Sequence, residues 1–300
     1  MTRWIQGLAE IAAGDEGYDG FVIDQFGVLH DGTTAYPGAA DALAELRGRG
    51  RRVIVLSNSG KRAAPNGKRL ARFGVTPQHY DALITSGELT HQMLRQRDRA
   101  PFDRLGQRVL LGHPEDDAPL IEGLGLQPVE DAAEADFVLL ASLPEDRSAE
   151  ALLPRLAAAT ARRLPLLCAN PDVHRLTPRG VEPSTGWLAE RHAAAGAEVV
   201  WLGKPHALIY TVCREALGRW GSRHFLAMGD SLAHDIAGGL GAGYDTCFIG
   251  AGLHGQDFAA CRSAAERDAL LARLVAEAGA KAPGAPAPSP HWALPTLRWD

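Results

Sequence analysis

A short apolar run that ends in a carboxylate and is followed by a glycine-containing turn constrains the fold of this chain most. The run covers residues 21–23, the carboxylate is Asp24, and the turn extends to Gly32. Such a run is typical of a buried parallel strand, because a strand covered on both faces is apolar at successive positions. Open α/β sheets bind ligands outside the carboxyl ends of their strands. Asp24 is therefore a candidate site residue at a sheet edge.

Similar runs recur along the chain and alternate with stretches of helical periodicity. This alternation is typical of βαβ units and predicts an α/β fold with parallel sheet. Further strands are predicted at residues 53–56, 109–111, 137–140, 166–168, 199–202, 225–228 and 246–249. Helices are predicted at residues 39–49, 88–95, 149–162, 187–195 and 208–217.

The middle of the chain, residues 90–183, has strand–helix alternation of its own but lacks the acids that follow strands elsewhere. We therefore predict an α/β module at residues 90–183, inserted into a core made of residues 1–89 and 184–280. Residues 281–300 form a tail rich in Pro and Ala. Its last ten residues carry four large apolar side chains, so we expect them to dock on the core.

The first fourteen residues carry apolar side chains at positions 4, 5, 8 and 11. This spacing predicts an amphipathic helix packed on the fold, whereas a signal peptide needs a continuous apolar segment. Nothing later in the sequence approaches the length of a membrane span. We therefore expect a cytoplasmic protein that has no membrane partner.

The composition argues against several other classes of protein. The formal net charge is −5, and no basic block is long enough or sufficiently interleaved with aromatic residues to predict a nucleic-acid surface. The four cysteines are scattered, without the paired spacing of a zinc site. We expect them to be reduced rather than joined in disulfides.

Polar groups follow four of the predicted strands. They are Asp24, Ser57 with Asn58, Lys204 in a Gly-Lys-Pro segment, and Asp230 with Asp235 five residues later. Each alone is typical of a helix cap or a loop. Together they supply a nucleophilic carboxylate, a hydroxyl, a cation and a second acidic cluster. Those groups are the parts needed to hold Mg²⁺ and to transfer a phosphoryl group.

In this order the residues resemble the four motifs of the haloacid dehalogenase superfamily. The resemblance extends to its NagD-like class IIA through residues 36–39, 84–86, 170–172 and 229–236, and it covers about residues 19–250. It implies a Rossmann-like core interrupted by an α/β cap domain, with Mg²⁺ as cofactor. It also implies hydrolysis of a small phosphorylated metabolite and the capacity to form a homodimer.

The resemblance assigns a catalytic role to each matching residue. Asp24 is expected to be the nucleophile that forms an aspartyl-phosphate, which water then hydrolyses. Ser57 and Asn58 are expected to bind the transferred phosphoryl group. Lys204 is expected to balance the negative charge of Asp24 and of the phosphate.

The same resemblance predicts the metal ligands. Asp24 and Asp230 are expected to bind Mg²⁺ directly, joined by the backbone carbonyl of Phe26. Asp235 is expected to contact the ion through a water molecule or to act on it through another residue. Its alternative interpretation is an acid favoured by the helix dipole in the first turn of a helix.

Phosphatases of this superfamily carry a second aspartate two residues after the nucleophile, where this chain has Phe26. That aspartate transfers a proton to the leaving group, which Phe26 cannot do, and such proton transfer typically raises the rate about 10²–10⁴-fold. Three interpretations stay open. The leaving group needs no proton, or His30 or Asp31 supplies it, or the reaction is not a phosphatase reaction. Retention of both Asp230 and Asp235 argues against the third, because haloacid dehalogenases do not depend on Mg²⁺.

The inserted module contains a loop that resembles the substrate loop of this class, and Asn170 and His174 in it are candidate ligand contacts. Thr85 and Glu88 have the spacing of a capping box and predict a helix start without chemistry. We therefore predict a Mg²⁺-dependent phosphatase that acts through an aspartyl-phosphate. One version of this prediction adds a preference for substrates with good leaving groups. The alternative is a catalytically weak phosphate-binding or regulatory protein of the same fold, which Phe26 would favour.

Overall fold

The fold was analysed in a computed structural model, which describes residues 2–12, 17–144, 146–177, 180–281 and 286–300. The chain forms two compact units. The first comprises Met1–Ser57, Gly67–Ile84 and Lys204–Asp300, and the second comprises the remaining residues, 58–66 and 85–203. The predicted inserted module, residues 90–183, lies within the second unit, which extends beyond it at both ends.

The strands are numbered in chain order. They are β1 Arg3–Trp4, β2 Gly20–Asp24, β3 Arg52–Ser57, β4 Ala82–Thr85, β5 Arg108–Leu111, β6 Gln127–Val129, β7 Phe137–Leu140, β8 Leu166–Cys168, β9 His174–Thr177, β10 Gly180–Pro183, β11 Val199–Trp201, β12 Phe225–Gly229, β13 Asp245–Ile249 and β14 Trp292–Leu294. Every strand predicted from an apolar run is present, and no end differs from its prediction by more than one residue.

The α-helices are numbered in the same way. They are α1 Ala9–Ala12, α2 Ala39–Gly48, α3 Ala63–Arg72, α4 Ser86–Gln96, α5 Pro114–Asp117, α6 Leu153–Ala161, α7 Thr185–Ala194, α8 Ala207–Arg219, α9 Ala237–Gly241, α10 Gly255–Ala260 and α11 Ala264–Ala280. The helix predicted at residues 149–162 is a 3₁₀ turn, Ala149–Leu152, followed by α6. Pro154 explains the break, because its nitrogen cannot donate to a carbonyl in the preceding turn. No helix among the described residues is long and apolar enough to cross a membrane.

The first unit is built on a core sheet whose described strands have the order β1-β14-β13-β12-β2-β3-β4. Strand β2 lies inside the sheet and pairs in parallel with β3 and β12. All five of its residues are buried. Apolar side chains of these strands, such as Phe21 and Val55, pack with Leu43 and Leu46 of α2. The carboxyl ends of three neighbouring strands therefore meet at one edge of the sheet.

The N-terminal segment differs from the predicted amphipathic helix over residues 1–14. Arg3 and Trp4 form strand β1, and only Ala9–Ala12 are α-helical, while residues 1, 13 and 14 lie outside the described residues. The edge of the core sheet explains the difference, because β14 offers β1 backbone hydrogen-bonding partners in parallel register. Ile5 and Leu8 are fully buried in the core.

The C-terminal residues dock on the core, as predicted. Strand β14 lies between β1 and β13, and Leu294 and Leu297 are fully buried. Residues 282–285 of the Pro- and Ala-rich tail lie outside the described residues. The end of the chain is therefore part of the core sheet.

The second unit contains a second sheet, with the described strands in the order β11-β8-β7-β5-β6, and an antiparallel hairpin of β9 and β10. Strand β11 pairs in parallel with β8, and α7 buries Leu188 and Ala189 in the apolar cluster of this unit. The predicted second part of the core, from residue 184, thus begins with twenty residues of the second unit. Strand β11 belongs to the second unit because its backbone pairs with β8. Its short apolar run does not reveal which strand it pairs with.

Candidate active site

Three carboxylates of the first unit converge around one lysine. Oxygen atoms of Asp24, Asp230 and Asp235 all lie within 4.8 Å of one another, and all three residues are buried. The Nζ atom of Lys204 lies 2.5 Å from Oδ1 of Asp24 and 2.7 Å from Oδ1 of Asp235. When all three acids are ionised, the single ammonium leaves a net negative charge that a divalent cation can neutralise.

Strand register brings two of these groups and Ser57 to the same sheet edge. Asp24 is the last residue of β2, and it pairs with Leu56 of β3. Ser57 therefore ends β3 beside Asp24, and it is buried. Asp230 directly follows β12, on the other side of β2. The predicted strand-end residues are thus neighbours because their strands are parallel and adjacent.

Asp235 reaches the cluster from a π-helical turn, Leu232–Ile236. Its Oδ2 accepts a hydrogen bond of 3.1 Å from the backbone N–H of Ser231, while Oδ1 binds Lys204. A Cβ at Gly229 would lie 2.1 Å from Cγ of Asp235, so only glycine permits this approach. π-helical turns are rare and are often found at functional sites.

Asp230 is enclosed by two glycines and a backbone donor that the sequence does not reveal as a site. The N–H of Leu253 donates to Oδ2 of Asp230 over 2.6 Å. A Cβ at Gly27 or at Gly252 would lie 2.0 Å from the same oxygen. Gly27 also has φ +85°, a conformation that favours glycine. The Gly252–Leu253 loop carries no polar side chain, so no sequence signal marks it.

Burial and neighbouring charges shift the pKa values of the clustered side chains. Burial raises the pKa of Asp24 well above its usual value, against the opposing effect of Lys204. Burial and the charge of Asp235 raise the pKa of Asp230 to about 7. Burial acts to lower the pKa of Lys204, but Asp235 and Asp24 outweigh it and hold that pKa well above its usual range. A cation bound here would lower both carboxylate pKa values.

The residues fit Mg²⁺. Carboxylate oxygens are the ligands that this ion prefers, and it usually binds through one or two carboxylates together with substrate phosphate and water. Asp24 and Asp230 are the best placed to hold it, since Asp235 has both oxygens in hydrogen bonds to Lys204 and Ser231. Gly27, Gly252 and the N–H of Leu253 enclose Oδ2 of Asp230 and so fix the orientation of this carboxylate.

His30 is built into the turn after β2 rather than directed at the carboxylates. Its Nδ1 accepts a hydrogen bond of 2.9 Å from the N–H of Gly32, and its Nε2 lies 3.1 Å from the side-chain amide of Gln25. The atom of Gln25 that faces Nε2 of His30 is its side-chain nitrogen, Nε2. Burial lowers the pKa of His30 to about 4. Both ring nitrogens are therefore engaged, which disfavours His30 as the substitute acid.

Asp31 closes the same turn. Its carboxylate accepts hydrogen bonds from the N–H groups of Thr33 and Thr34, at 2.8 and 2.6 Å. These bonds lower the pKa of Asp31, so it holds no proton to donate at neutral pH. The contacts of His30 and Asp31 therefore favour a structural role in the turn for both residues.

The predicted substrate contacts Asn58 and Asn170 lie in the second unit and meet at Asp172. The Nδ2 atom of Asn58 donates to Oδ1 of Asp172 over 2.8 Å, and Oδ1 of Asn170 accepts from the backbone N–H of Asp172 over 3.1 Å. A Cβ at Gly203 would lie 2.7 Å from Oδ1 of Asn58, so this glycine allows close packing. His174 begins β9, and its side chain is exposed.

Comparison with known proteins identifies the family. A family profile described as haloacid dehalogenase-like hydrolase matches residues 21–127, and a related profile matches residues 201–278. Bovine chronophin is 30% identical over 266 residues, which cover 86% of this chain and 90% of that protein. This chain belongs to the haloacid dehalogenase-like hydrolases. The predicted superfamily and the α/β fold with an inserted module are confirmed. A solved structure described as a putative NagD protein shares the fold, with a TM-score of 0.63 at 24% identity.

Solved structures of this hydrolase family share the fold. A haloacid dehalogenase-like hydrolase from Brucella suis superposes with a TM-score of 0.75 at 24% identity, covering 98% of this chain and 99% of that one. A glycerol phosphate phosphatase from Mycobacterium tuberculosis, in complex with magnesium, superposes with a TM-score of 0.62 at 28% identity. The match covers 79% of this chain and 68% of that one. The prediction of Mg²⁺ as cofactor agrees with that complex and with the carboxylate cluster.

Proposed function

We propose that this hydrolase is a Mg²⁺-dependent phosphatase that acts on a small phosphorylated metabolite through an aspartyl-phosphate on Asp24. The observation that carries the proposal is the contact of Asp24 with Lys204, 2.5 Å, within a cluster of buried carboxylates. The glycerol phosphate phosphatase from Mycobacterium tuberculosis supports the reaction class. A bound Mg²⁺ would neutralise charge on the transferred phosphoryl group.

The chemistry of the first step follows from the position of Asp24. Lys204 holds Oδ1, which leaves the second carboxylate oxygen to attack phosphorus. As the new O–P bond forms, the bond from phosphorus to the leaving group breaks, and the leaving group departs with the electron pair. Lys204 stabilises charge that would otherwise repel the substrate phosphate, and Ser57 is proposed to donate a hydrogen bond to it. Water then hydrolyses the aspartyl-phosphate and restores the carboxylate.

The leaving group determines how fast this step can proceed. Phe26 cannot donate a proton, and the contacts of His30 and Asp31 disfavour both as substitutes. We propose that the enzyme favours leaving groups that depart without protonation. The proposed ligand contacts Asn58, Asn170 and His174, the homodimer and the cytoplasmic location stay predictions from the sequence.

The test is phosphate release from a panel of phosphate esters and acyl phosphates, with and without Mg²⁺. Asp24→Asn is expected to lower the rate by about 10³-fold or more, because it removes the nucleophile. The native protein should gain the mass of one phosphoryl group on the peptide that contains Asp24 when the reaction is quenched in acid.

Asp98→Asn is the matched control, because Asp98 is exposed and lies outside the cluster. Undiminished Mg²⁺-dependent turnover by Asp24→Asn would overturn the proposed nucleophile. Absence of turnover by the native protein across the whole panel would favour the phosphate-binding alternative.

A further inference from the structure

A surface cavity of about 470 Å³ lies in the first unit beside the first turns of α11. It is lined by Trp4 of β1, by residues of the segment from the end of β13 into α11, and by Pro295 directly after β14. We call it the α11 cavity. No residue of the carboxylate cluster is among its described lining residues. Small-molecule sites usually have volumes of about 300–1,000 Å³, so the α11 cavity is large enough for such a ligand.

Two aromatic rings and several small residues form the apolar part of this lining. Trp4 and Phe258 meet edge to face, with centroids 5.8 Å apart and planes at 60°. Both side chains are only half-buried, so each keeps apolar surface open to solvent. Ala259, Ala264 and Pro295 line the cavity beside them and occupy little space. The α11 cavity therefore offers two rings and free volume to a flat aromatic group.

The charged residues of the lining are both arginines, Arg262 and Arg267. The guanidinium carbon of Arg267 lies 5.3 Å from the centre of the Trp4 ring. Among residues 2–12, 17–144, 146–177, 180–281 and 286–300, neither guanidinium group has a hydrogen bond or an ion pair. Two cations beside an apolar surface are the complement of an anion that carries a ring.

The acids of the same helix have other partners. Glu266 accepts a hydrogen bond of 2.6 Å from the backbone N–H of Arg262, as part of the cap at the start of α11. Asp268 accepts a hydrogen bond of 2.8 Å from Nε1 of Trp4. Neither acid is among the lining residues of the α11 cavity. The charge that faces the cavity is therefore positive.

The α11 cavity also reaches the loop that holds Asp230. Gly250 and Ala251 line the cavity, and the N–H of Leu253, two residues further on, donates to Oδ2 of Asp230 over 2.6 Å. The carbonyl of Ala251 accepts a hydrogen bond of 3.2 Å from the hydroxyl of Tyr36. A ligand in the cavity would thus contact a short stretch of backbone that is fixed at one end to Asp230.

We propose that the α11 cavity is an effector site for an aromatic carboxylate. The rings of Trp4 and Phe258 contact the aromatic part of this ligand, and the guanidinium groups of Arg262 and Arg267 bind its carboxylate. A ligand that fits the present loop conformation stabilises the arrangement that holds Asp230, and so raises the affinity for Mg²⁺. This coupling rests on the metal role in the proposed function, whereas the ligand site itself does not.

The first measurement is binding in the absence of Mg²⁺ at pH 8, where the ionised carboxylate cluster repels anions from the proposed active site. Calorimetry compares 2-naphthoate with two probes that each lack one of its features. 2-Naphthamide keeps the rings without the charge, and acetate keeps the charge without the rings. The native protein is expected to bind 2-naphthoate about tenfold more tightly than either probe, because only 2-naphthoate uses both the rings and the arginines.

Substitutions locate the binding to the α11 cavity. Arg262→Gln and Arg267→Gln are each expected to weaken 2-naphthoate binding about tenfold and to leave 2-naphthamide unchanged. Phe258→Leu is expected to weaken both ring probes about fivefold. Arg273→Gln is the matched control, because Arg273 lies on the same helix and pairs with Glu277 at 3.3 Å, outside the cavity. Melting temperatures confirm that each variant is folded.

The second measurement is the coupling to the metal. The dissociation constant of Mg²⁺ is measured by calorimetry with and without saturating 2-naphthoate, and it is expected to fall about fivefold when 2-naphthoate is present. The double variant Arg262→Gln with Arg267→Gln should lose this effect, while its Mg²⁺ affinity without 2-naphthoate should equal that of the native protein.

Three results would overturn the inference. They are equal affinities for 2-naphthoate and either probe, arginine variants that bind 2-naphthoate as the native protein does, and a Mg²⁺ affinity that 2-naphthoate leaves unchanged. Failure of the native protein to bind Mg²⁺ at all would instead refute the proposed Mg²⁺-dependent function. The comparison of 2-naphthoate with its probes would still decide whether the α11 cavity binds an aromatic carboxylate.

Discussion

Lys204 donates a hydrogen bond of 2.7 Å to Asp235, and both side chains are only 4% exposed. The contact ties a lysine that follows β11 to the π-helical turn after β12. The same ammonium group binds Asp24. The ammonium group of Lys204 thus contacts both the proposed nucleophile and a second acid. Neither strand end alone would specify this position of the ammonium group.

Removal of this cation is expected to destabilise the fold. Lys204→Met leaves buried carboxylates without their partner, and breaking a buried ion pair in this way costs about 3–5 kcal/mol. Urea unfolding of the metal-free protein measures the loss. Lys68→Met is the control, because Lys68 is exposed on α3. A loss for Lys204→Met no larger than that of the control would show that the carboxylates are protonated or solvated instead.

The enclosure of Asp230 predicts a selective effect on metal binding. Gly252→Ala places a Cβ 2.0 Å from Oδ2 of Asp230, so the carboxylate must shift. We expect Mg²⁺ affinity to fall about 10–100-fold, the range for groups that orient a metal ligand. Calorimetric titration measures this. Gly255→Ala is matched to it, since a Cβ there would lie 3.9 Å from the Gly250 carbonyl oxygen, an ordinary van der Waals distance. Unchanged affinity in Gly252→Ala would contradict a metal role for Asp230.

The raised pKa of Asp230 predicts how stability depends on pH and on metal. The folded-state pKa of about 7 exceeds the usual 3.8, so the folded protein binds more protons than the unfolded chain between these values. The contribution of Asp230 to the stability of the metal-free protein should therefore fall as pH rises from about 4 to 7. Mg²⁺ requires the ionised carboxylate, so the rise in melting temperature that it produces should grow between pH 5 and pH 8.

Thermal unfolding at these two pH values, with and without saturating Mg²⁺, measures the effect. Asp230→Asn cannot ionise and should lose the pH-dependent part of the gain. An equal Mg²⁺-induced shift at both pH values in the native protein would contradict the assignment.

His30 predicts a separate sensitivity to acid. Its folded-state pKa of about 4 lies below the usual 6.5, so its stabilising contribution is present above pH 6.5 and is lost as pH falls towards 4. His30→Phe keeps an aromatic ring but cannot take up a proton. On acidification from pH 7 to pH 5, its free energy of unfolding should therefore decline less, or rise more, than that of the native protein. The variant also loses the acceptor for the Gly32 N–H, which costs about 1–3 kcal/mol at every pH. The slope with pH is therefore the measurement, with exposed His224→Phe as control, and equal slopes would refute the prediction.

The strands could be predicted because a strand that is buried on both faces is apolar at successive positions, and this pattern is visible in a short stretch of sequence. Runs such as residues 21–23 and 53–56 are apolar at every position, and a polar residue marks the point where each strand leaves the core. Thr85 was predicted as a helix start and caps α4, since its side chain accepts the N–H of Glu88 over 3.0 Å. Strands β1, β4, β6, β9, β10 and β14 were not predicted, because they are short and most of them mix polar residues, Pro or Gly with apolar ones.

The sequence by itself determined the α/β fold, the family and the carboxylates at the strand ends, because these depend on residue types at fixed local spacing. Only the tertiary structure decided which backbone encloses them. Gly252 and Leu253 reach Asp230 from a loop with no chemical signal, and β11 joins the second sheet through backbone hydrogen bonds that any sequence can make. The edge-to-face contact between the Phe26 and His30 rings, with centroids 5.8 Å apart, also exists only once the turn is folded. Contacts between distant segments depend on backbone geometry, and a run of residue types does not encode it locally.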